Sequence, residues 1–190
     1  IDATEITVHC TDHPGLFSQI AGSMALCGAN VVDAKILTLA DGMALDTFFV
    51  QDTNGEAFND STKLERLRET LEKVISGQLR PSQEIERRQT KDNKHRTAVF
   101  KVEPNVIIDN KASRTHTVIE ITARDRLGLL YDITRALRDL SMQIASARIS
   151  TFGERAVDVF YVKDVFGLKI DSRTKFVQVK ETLTQAIRND

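Results

Sequence analysis

An internal repeat constrains this chain more than any other feature. Sliding the sequence along itself by 113 residues lays Thr4-Glu5-Ile6-Thr7-Val8 over Thr117-Val118-Ile119-Glu120-Ile121, Asp12 over Asp125, and Gly15-Leu16 over Gly128-Leu129. Ala34, Ile36 and Thr38 then fall on Ala147, Ile149 and Thr151. After a one-residue deletion, Asp46, Phe48, Val50, Asp52 and Gly55 fall on Asp158, Phe160, Val162, Asp164 and Gly167. Copies that share an apolar pattern share a fold. The 190 residues suffice for two cores of roughly 100 residues each.

The apolar period changes along each copy, and this predicts its elements. Ile6 and Val8 alternate with polar neighbours, Pro14-Gly15 interrupts, and Leu16, Ile20, Met24 and Cys27 recur at helical spacing. That is a strand followed by a helix. Residues 31–39 and 44–50 read as two strands joined at Asp41-Gly42, a pair that supplies positive φ in a hairpin. Asn59, Asp60 and Ser61 are capping candidates for a second helix with Leu64, Leu67, Leu71, Val74 and Ile75 on one stripe, which Gly77 can end. Phe176, Val179, Leu183, Ala186 and Ile187 repeat that stripe in copy two.

Residues 78–94 contain Arg80, Arg87, Arg88, Lys91 and Lys94, with Leu79 and Ile85 as the sizeable apolar groups, and read as an exposed connection. Residues 96–102 alternate well enough to be the last strand of copy one, completing β-α-β-β-α-β before Pro104. The expected fold class is α+β, with two ferredoxin-like units in tandem over residues 1–103 and 104–190. Copy two lacks a last strand of its own. Bare sheet edges are usually covered, and the β-rich residues 106–109 are expected to fill that edge.

Composition excludes several classes of function. Lys and Arg number 26 against 27 Asp and Glu, for a net charge of −1, so no field draws in nucleic acid or an anionic membrane. No run of about 18 apolar residues and no signal-like N-terminus occurs, so no membrane is implied and a cytoplasmic location is expected. Cys10 and Cys27 are too few for a disulfide framework and lack metal-site spacing. The chain starts at Ile1, as a piece of a longer polypeptide would.

The turn between the first strand and first helix is where chemistry concentrates. A helix N-terminus leaves about four N–H groups unpaired and carries roughly half a positive charge, so the amides of Gly15, Leu16 and Phe17 suit an α-carboxylate. Asp12 at the rim can accept an α-ammonium, and the Asn30 amide can both donate and accept. The competing reading makes Asp12 and Asp125 ordinary N-caps worth about 1 kcal/mol, with Asn30 merely starting a strand. His9, Cys10 and His13 crowd together, but alternation turns His9 and Cys10 to opposite faces, which argues against a shared metal ion. Cys10 reads as a small hydrophobe rather than a nucleophile. The sheet carries no aromatic RNA-binding motif, and the loop that an acylphosphatase-like catalyst needs over a phosphate is not evident.

Copy one carries Asp12-His13-Pro14-Gly15-Leu16-Phe17 and Gly28-Ala29-Asn30-Val31-Val32; copy two carries Asp125-Arg126-Leu127-Gly128-Leu129-Leu130 and Gln143-Ile144. These motifs, in this element order, resemble the ACT domain, a ferredoxin-like unit that senses small molecules. Copy two departs from the pattern at Leu127 and Gln143, where copy one has Pro14 and Asn30. The resemblance implies ligand contacts from Asp12, His13, Gly15, Leu16, Phe17, Asn30 and Val31 in copy one, and from Asp125, Gly128, Leu129, Leu130 and Gln143 in copy two. The tandem, its long connector and Phe152-Gly153-Glu154-Arg155-Ala156-Val157-Asp158-Val159-Phe160-Tyr161 are further similar to the C-terminal regulatory end of bacterial PII uridylyltransferase/uridylyl-removing enzymes, over essentially the whole chain. That resemblance implies a non-catalytic module that reports an amino acid, L-glutamine, to transferase and hydrolase domains elsewhere in the polypeptide. It also implies UTP and Mg2+ as the parent's reaction needs, the PII signal protein as the parent's partner, and pairing of ACT units within or between chains. The rival from the interaction class is a ligand-free docking or dimerisation module.

Overall fold

The computed structural model describes residues 2–92 and 102–188. Copy one supplies β1 (Thr4–Thr11), α1 (Leu16–Cys27), β2 (Asn30–Lys35), β3 (Met43–Gln51) and α2 (Ser61–Ile75). A helix α3 (Pro81–Asp92) and a short strand β4 (Asn105–Asp109) follow. Copy two supplies β5 (Thr117–Arg124), α4 (Leu129–Asp139), β6 (Gln143–Phe152), β7 (Arg155–Lys163) and α5 (Arg173–Arg188). The strand expected at residues 96–102 lies almost wholly outside the described residues.

The seven strands among the described residues form one antiparallel sheet in the order β1-β3-β2-β6-β7-β5-β4. The two copies join edge to edge through β2 and β6, where Ala34 pairs with Ala147, Asp33 with Arg148 and Lys35 with Ser146. Ala34 and Ala147 are equivalent positions of the repeat, so the copies are related by a local two-fold running through this pair. β4 pairs with β5, setting Val106 against Ile121 and Ile108 against Ile119. Residues 106–109 thus occupy the outer edge of copy two, where its own last strand would lie.

One face of the sheet is covered by helices, and strict alternation explains which residues they cover. In β3 the inward phase is Ala44, Asp46, Phe48 and Val50, all buried, between half-buried neighbours. Phe17 of α1 lies 5.4 Å from Phe48, ring centre to ring centre. Phe48 and Phe160 are fully buried, and their outward neighbours Phe49 and Tyr161 are half-buried. Phe49 lies under the Lys35 ammonium and Tyr161 meets the edge of His116. α1 and α4 pack side by side above the seam, flanked by α2 and α5. Asp60 caps α2 by accepting from the Lys63 N–H at 2.9 Å, worth about 1 kcal/mol.

The reading of residues 78–94 as an exposed connection is corrected. α3 buries Ile85 to 3% exposure against Leu26 of α1 and Tyr131 of α4. Arg88 donates to the Leu26 carbonyl at 2.6 Å and Gln89 to the Leu127 carbonyl at 2.8 Å. One isoleucine in twelve residues is too sparse for a visible stripe, yet α3 is fastened to both copies by these polar contacts.

Candidate functional site

The first turn of α1 is built by Gly15. Its φ of 94° is one that a residue with a Cβ adopts only under strain, and it lets the chain leave β1 and enter the helix within a few residues. No side chain caps α1. Asp12 does not act as an N-cap, because its carboxylate instead accepts from the Thr38 hydroxyl at 2.5 Å. Gly15 is the cap residue of α1, and the start of the helix keeps its partial positive charge.

This turn forms one wall of a cavity of about 640 Å³, within the range typical of small-molecule sites. Copy one contributes Asp12, His13, Gly15, Leu16, Phe17, Thr38 and Asp46; copy two contributes His116, Arg138, Gln143, Ile144, Lys163 and Val165. The cavity therefore lies across the seam, between the copies. A Cβ at Gly15 would stand 2.8 Å from Arg138 Cδ, so the missing side chain is what admits the arginine.

Two carboxylates and two cations line the same space. Asp46 is 1% exposed and its carboxyl is pushed up to about 6 by burial; the Leu37 N–H, 3.4 Å away, works against this rise and the neighbouring Asp12 charge adds to it. Arg138 is held by Asp139 at 2.7 Å. Burial, helped by Lys163, lowers the His116 pKa and favours its neutral form. A cavity lined by both cations and carboxylates can hold a zwitterion: its carboxylate at the helix start, Arg138 and Lys163, and its ammonium at Asp12 and Asp46.

Of the residues singled out from sequence, Asp12, His13, Gly15, Leu16, Phe17 and Gln143 come together here. Asn30, expected to complete the site of its own copy, does not line this cavity. Its amide donates to the Asp52 carbonyl at 3.2 Å. Val31 is buried against Val50. The reason is the seam: antiparallel pairing of β2 with β6 brings the start of copy two's second strand, Gln143, to copy one's turn. Sequence reasoning missed Asp46, Arg138 and Lys163. The signal for Asp46 was an acid on the inward phase of a strand, repeated at Asp158.

The equivalent turn in copy two is differently furnished. Asp125, Gly128, Leu129 and Leu130 lie outside this cavity. A Cβ at Gly128 would stand 2.7 Å from Ile85 Cγ2, so α3 lies directly on this turn. Arg126 pairs with Asp132 at 2.6 Å and donates to the Ala186 carbonyl. Asp158 is 2% exposed, and its buried Oδ1 has no hydrogen-bond partner among the described residues. Burial, then the Asp125 charge, push its carboxyl up to about 7.

Comparison with known proteins fits this architecture. The family model described as "ACR9-like, ACT-like domain" matches residues 105–189. The chain is 55% identical over 97% of its length to the "Bifunctional uridylyltransferase/uridylyl-removing enzyme" of Azospirillum brasilense, covering 20% of that protein. It is 54% identical over 97% of its length to the protein of the same name from Rhodospirillum rubrum, and 51% identical to that of Gluconobacter oxydans, covering 20% and 19% of them. The chain thus spans about one-fifth of the length of these relatives. No described helix is long and apolar enough to cross a membrane. The molecule is a tandem of two ferredoxin-like units that is similar over its second unit to the ACT-like domain model and over 97% of its length to a one-fifth portion of bifunctional uridylyltransferase/uridylyl-removing enzymes.

Proposed function

We propose that this chain is a non-catalytic amino-acid sensor, with L-glutamine as its ligand, in a larger uridylyltransferase/uridylyl-removing enzyme. The observation that carries the reading is the cavity across the seam, which a helix start, Arg138 and Lys163 line together with Asp12 and Asp46. The Gln143 side-chain amide at its wall complements a carboxamide, donating to the oxygen and accepting from the nitrogen. Because both copies line the cavity, a ligand that fits one arrangement of the copies better shifts the population toward it, and the shift is passed to attached catalytic domains as a coupling free energy. Transfer from UTP with Mg2+, removal of the uridylyl group, and recognition of PII in the cytoplasm are assigned to the parent enzyme. A second reading, a docking module, is favoured by one observation. The turn after β7 leaves Phe166 82% and Leu168 63% exposed, where the matching turn of copy one has Asn54 and Glu56.

Calorimetric titration with L-glutamine, glutamate, serine and phenylalanine tests the proposal. Saturable binding of glutamine, lost in Asp12→Ala, is the expected result. A folded chain that gives no heat with any of the four supports docking instead.

A further inference from the structure

Asp46 is a carboxylate that the fold buries at the cavity wall without a strong partner. It accepts a long hydrogen bond from the Leu37 N–H at 3.4 Å, and among the described residues it forms no ion pair. A buried carboxylate that keeps its charge needs a cation or several donors. The groups that face it are accounted for. From the β1 side come Cys10, whose thiol is raised by burial and by Asp46, and Asp12, which is engaged by Thr38. From the end of β2 comes the Leu37 N–H. α1, which packs above, carries no charged side chain. The other charged and titratable groups that line the cavity are His13, His116, Arg138 and Lys163, and Arg138 is held by Asp139. Beside Asp46, then, the fold supplies a second carboxylate and leaves the cationic position open to the cavity.

We propose that Asp46 is the residue that selects for the ligand's ammonium group, and that it releases its own proton to solvent as the ligand binds. The inference rests on the amino-acid reading and adds to it a specificity residue and a proton linkage. The step balances: the neutral Asp46 carboxyl loses one proton to the buffer, the ligand's ammonium keeps all of its protons, and the new carboxylate and ammonium pair. An analogue with the ammonium replaced by hydrogen gives Asp46 no reason to ionise and is rejected. The raised pKa of Asp46 places the linkage in mildly acidic solution. Asp158, at the same position of copy two, shares the burial but does not line the cavity, so it provides an internal control.

The test is titration of the 190-residue chain with L-glutamine in pairs of buffers that differ in ionisation enthalpy, across mildly acidic to alkaline pH. The expected result is release of close to one proton per ligand near pH 5, fading to none near pH 8, with Kd rising about tenfold per pH unit below pH 6. Asp46→Asn removes the release and weakens binding by about tenfold or more at pH 8, whereas Asp158→Asn changes neither. Far-UV circular dichroism checks that both variants are folded, and the wild-type proton count stands if Asp46→Asn is not. Glutamine binding without proton release in the wild type, or release that persists in Asp46→Asn and so belongs to His13 or His116, overturns this inference and leaves the amino-acid reading standing. No binding of any amino acid to the wild type overturns both.

Discussion

Ala34 stands directly opposite Ala147 in the β2–β6 ladder, and both are buried to 1% exposure or less. Two equivalent small residues at the centre of the seam let the copies approach as one sheet and hold the cavity between them. Overpacking a buried site costs about 1–3 kcal/mol, so Ala147→Leu is expected to lose that much stability in urea unfolding. Its effect on the ligand is expected to exceed its effect on the fold, because the seam sets the spacing of the cavity walls. Unchanged binding in a destabilised Ala147→Leu chain would separate the seam from the site.

Gly15 and Gly42 both have positive φ, 94° and 81°, but only Gly15 has a neighbour where a Cβ would go. Gly42→Ala is expected to cost about 1 kcal/mol from backbone strain alone. Gly15→Ala adds displacement of Arg138 and is expected to cost more and to weaken ligand binding. Equal costs for the two, with binding intact, would show that the Gly15 to Arg138 approach has no role.

α3 offers a third check. Truncating a buried isoleucine costs about 2–5 kcal/mol, so Ile85→Ala is expected to lower the urea midpoint markedly. A change within about 0.5 kcal/mol, the usual range for surface positions, would mean that residues 81–92 are loosely held.

Asp158 makes stability depend on pH. Its carboxyl titrates near 7 in the fold against 3.8 for a free side chain. Between those values the folded chain holds a proton that the unfolded chain has released, so stability falls as pH rises through this window and the penalty is complete above it. Asp158→Asn is therefore expected to raise Tm at pH 8 and to change it little near pH 4. Asp46→Asn is expected to behave in the same direction over a window ending near 6. A Tm difference that does not grow with pH would contradict the burial of an ionisable Asp158.

Much of this architecture is legible in the sequence, for a physical reason. Alternation at Ala44, Phe48 and Val50 and helical spacing at Leu16, Ile20 and Met24 report burial directly, and the repeat reports it twice. The edge-filling role of residues 106–109 follows from counting strands. The partner of the turn is not legible, because the choice between Asn30 and Gln143 depends on which two edges pair, and edge pairing leaves only small traces such as Ala34 and Ala147. α3 escaped because its docking uses one isoleucine and two polar side chains reaching backbone carbonyls. The recurrence of Asp46 as Asp158, on the inward phase of matching strands, is the one missed feature that the repeat itself displays.

Amide NMR during titration with L-glutamine tests the central claim most directly, because it reads both walls of the cavity at once. The account predicts that the backbone amides of Gly15 and Phe17 and the side-chain amide of Gln143 shift together with one saturation curve, while the Asn30 side chain does not follow. Shifts at the turn that are accompanied by Asn30 and not by Gln143 would place the ligand within one copy and contradict a site built across the seam.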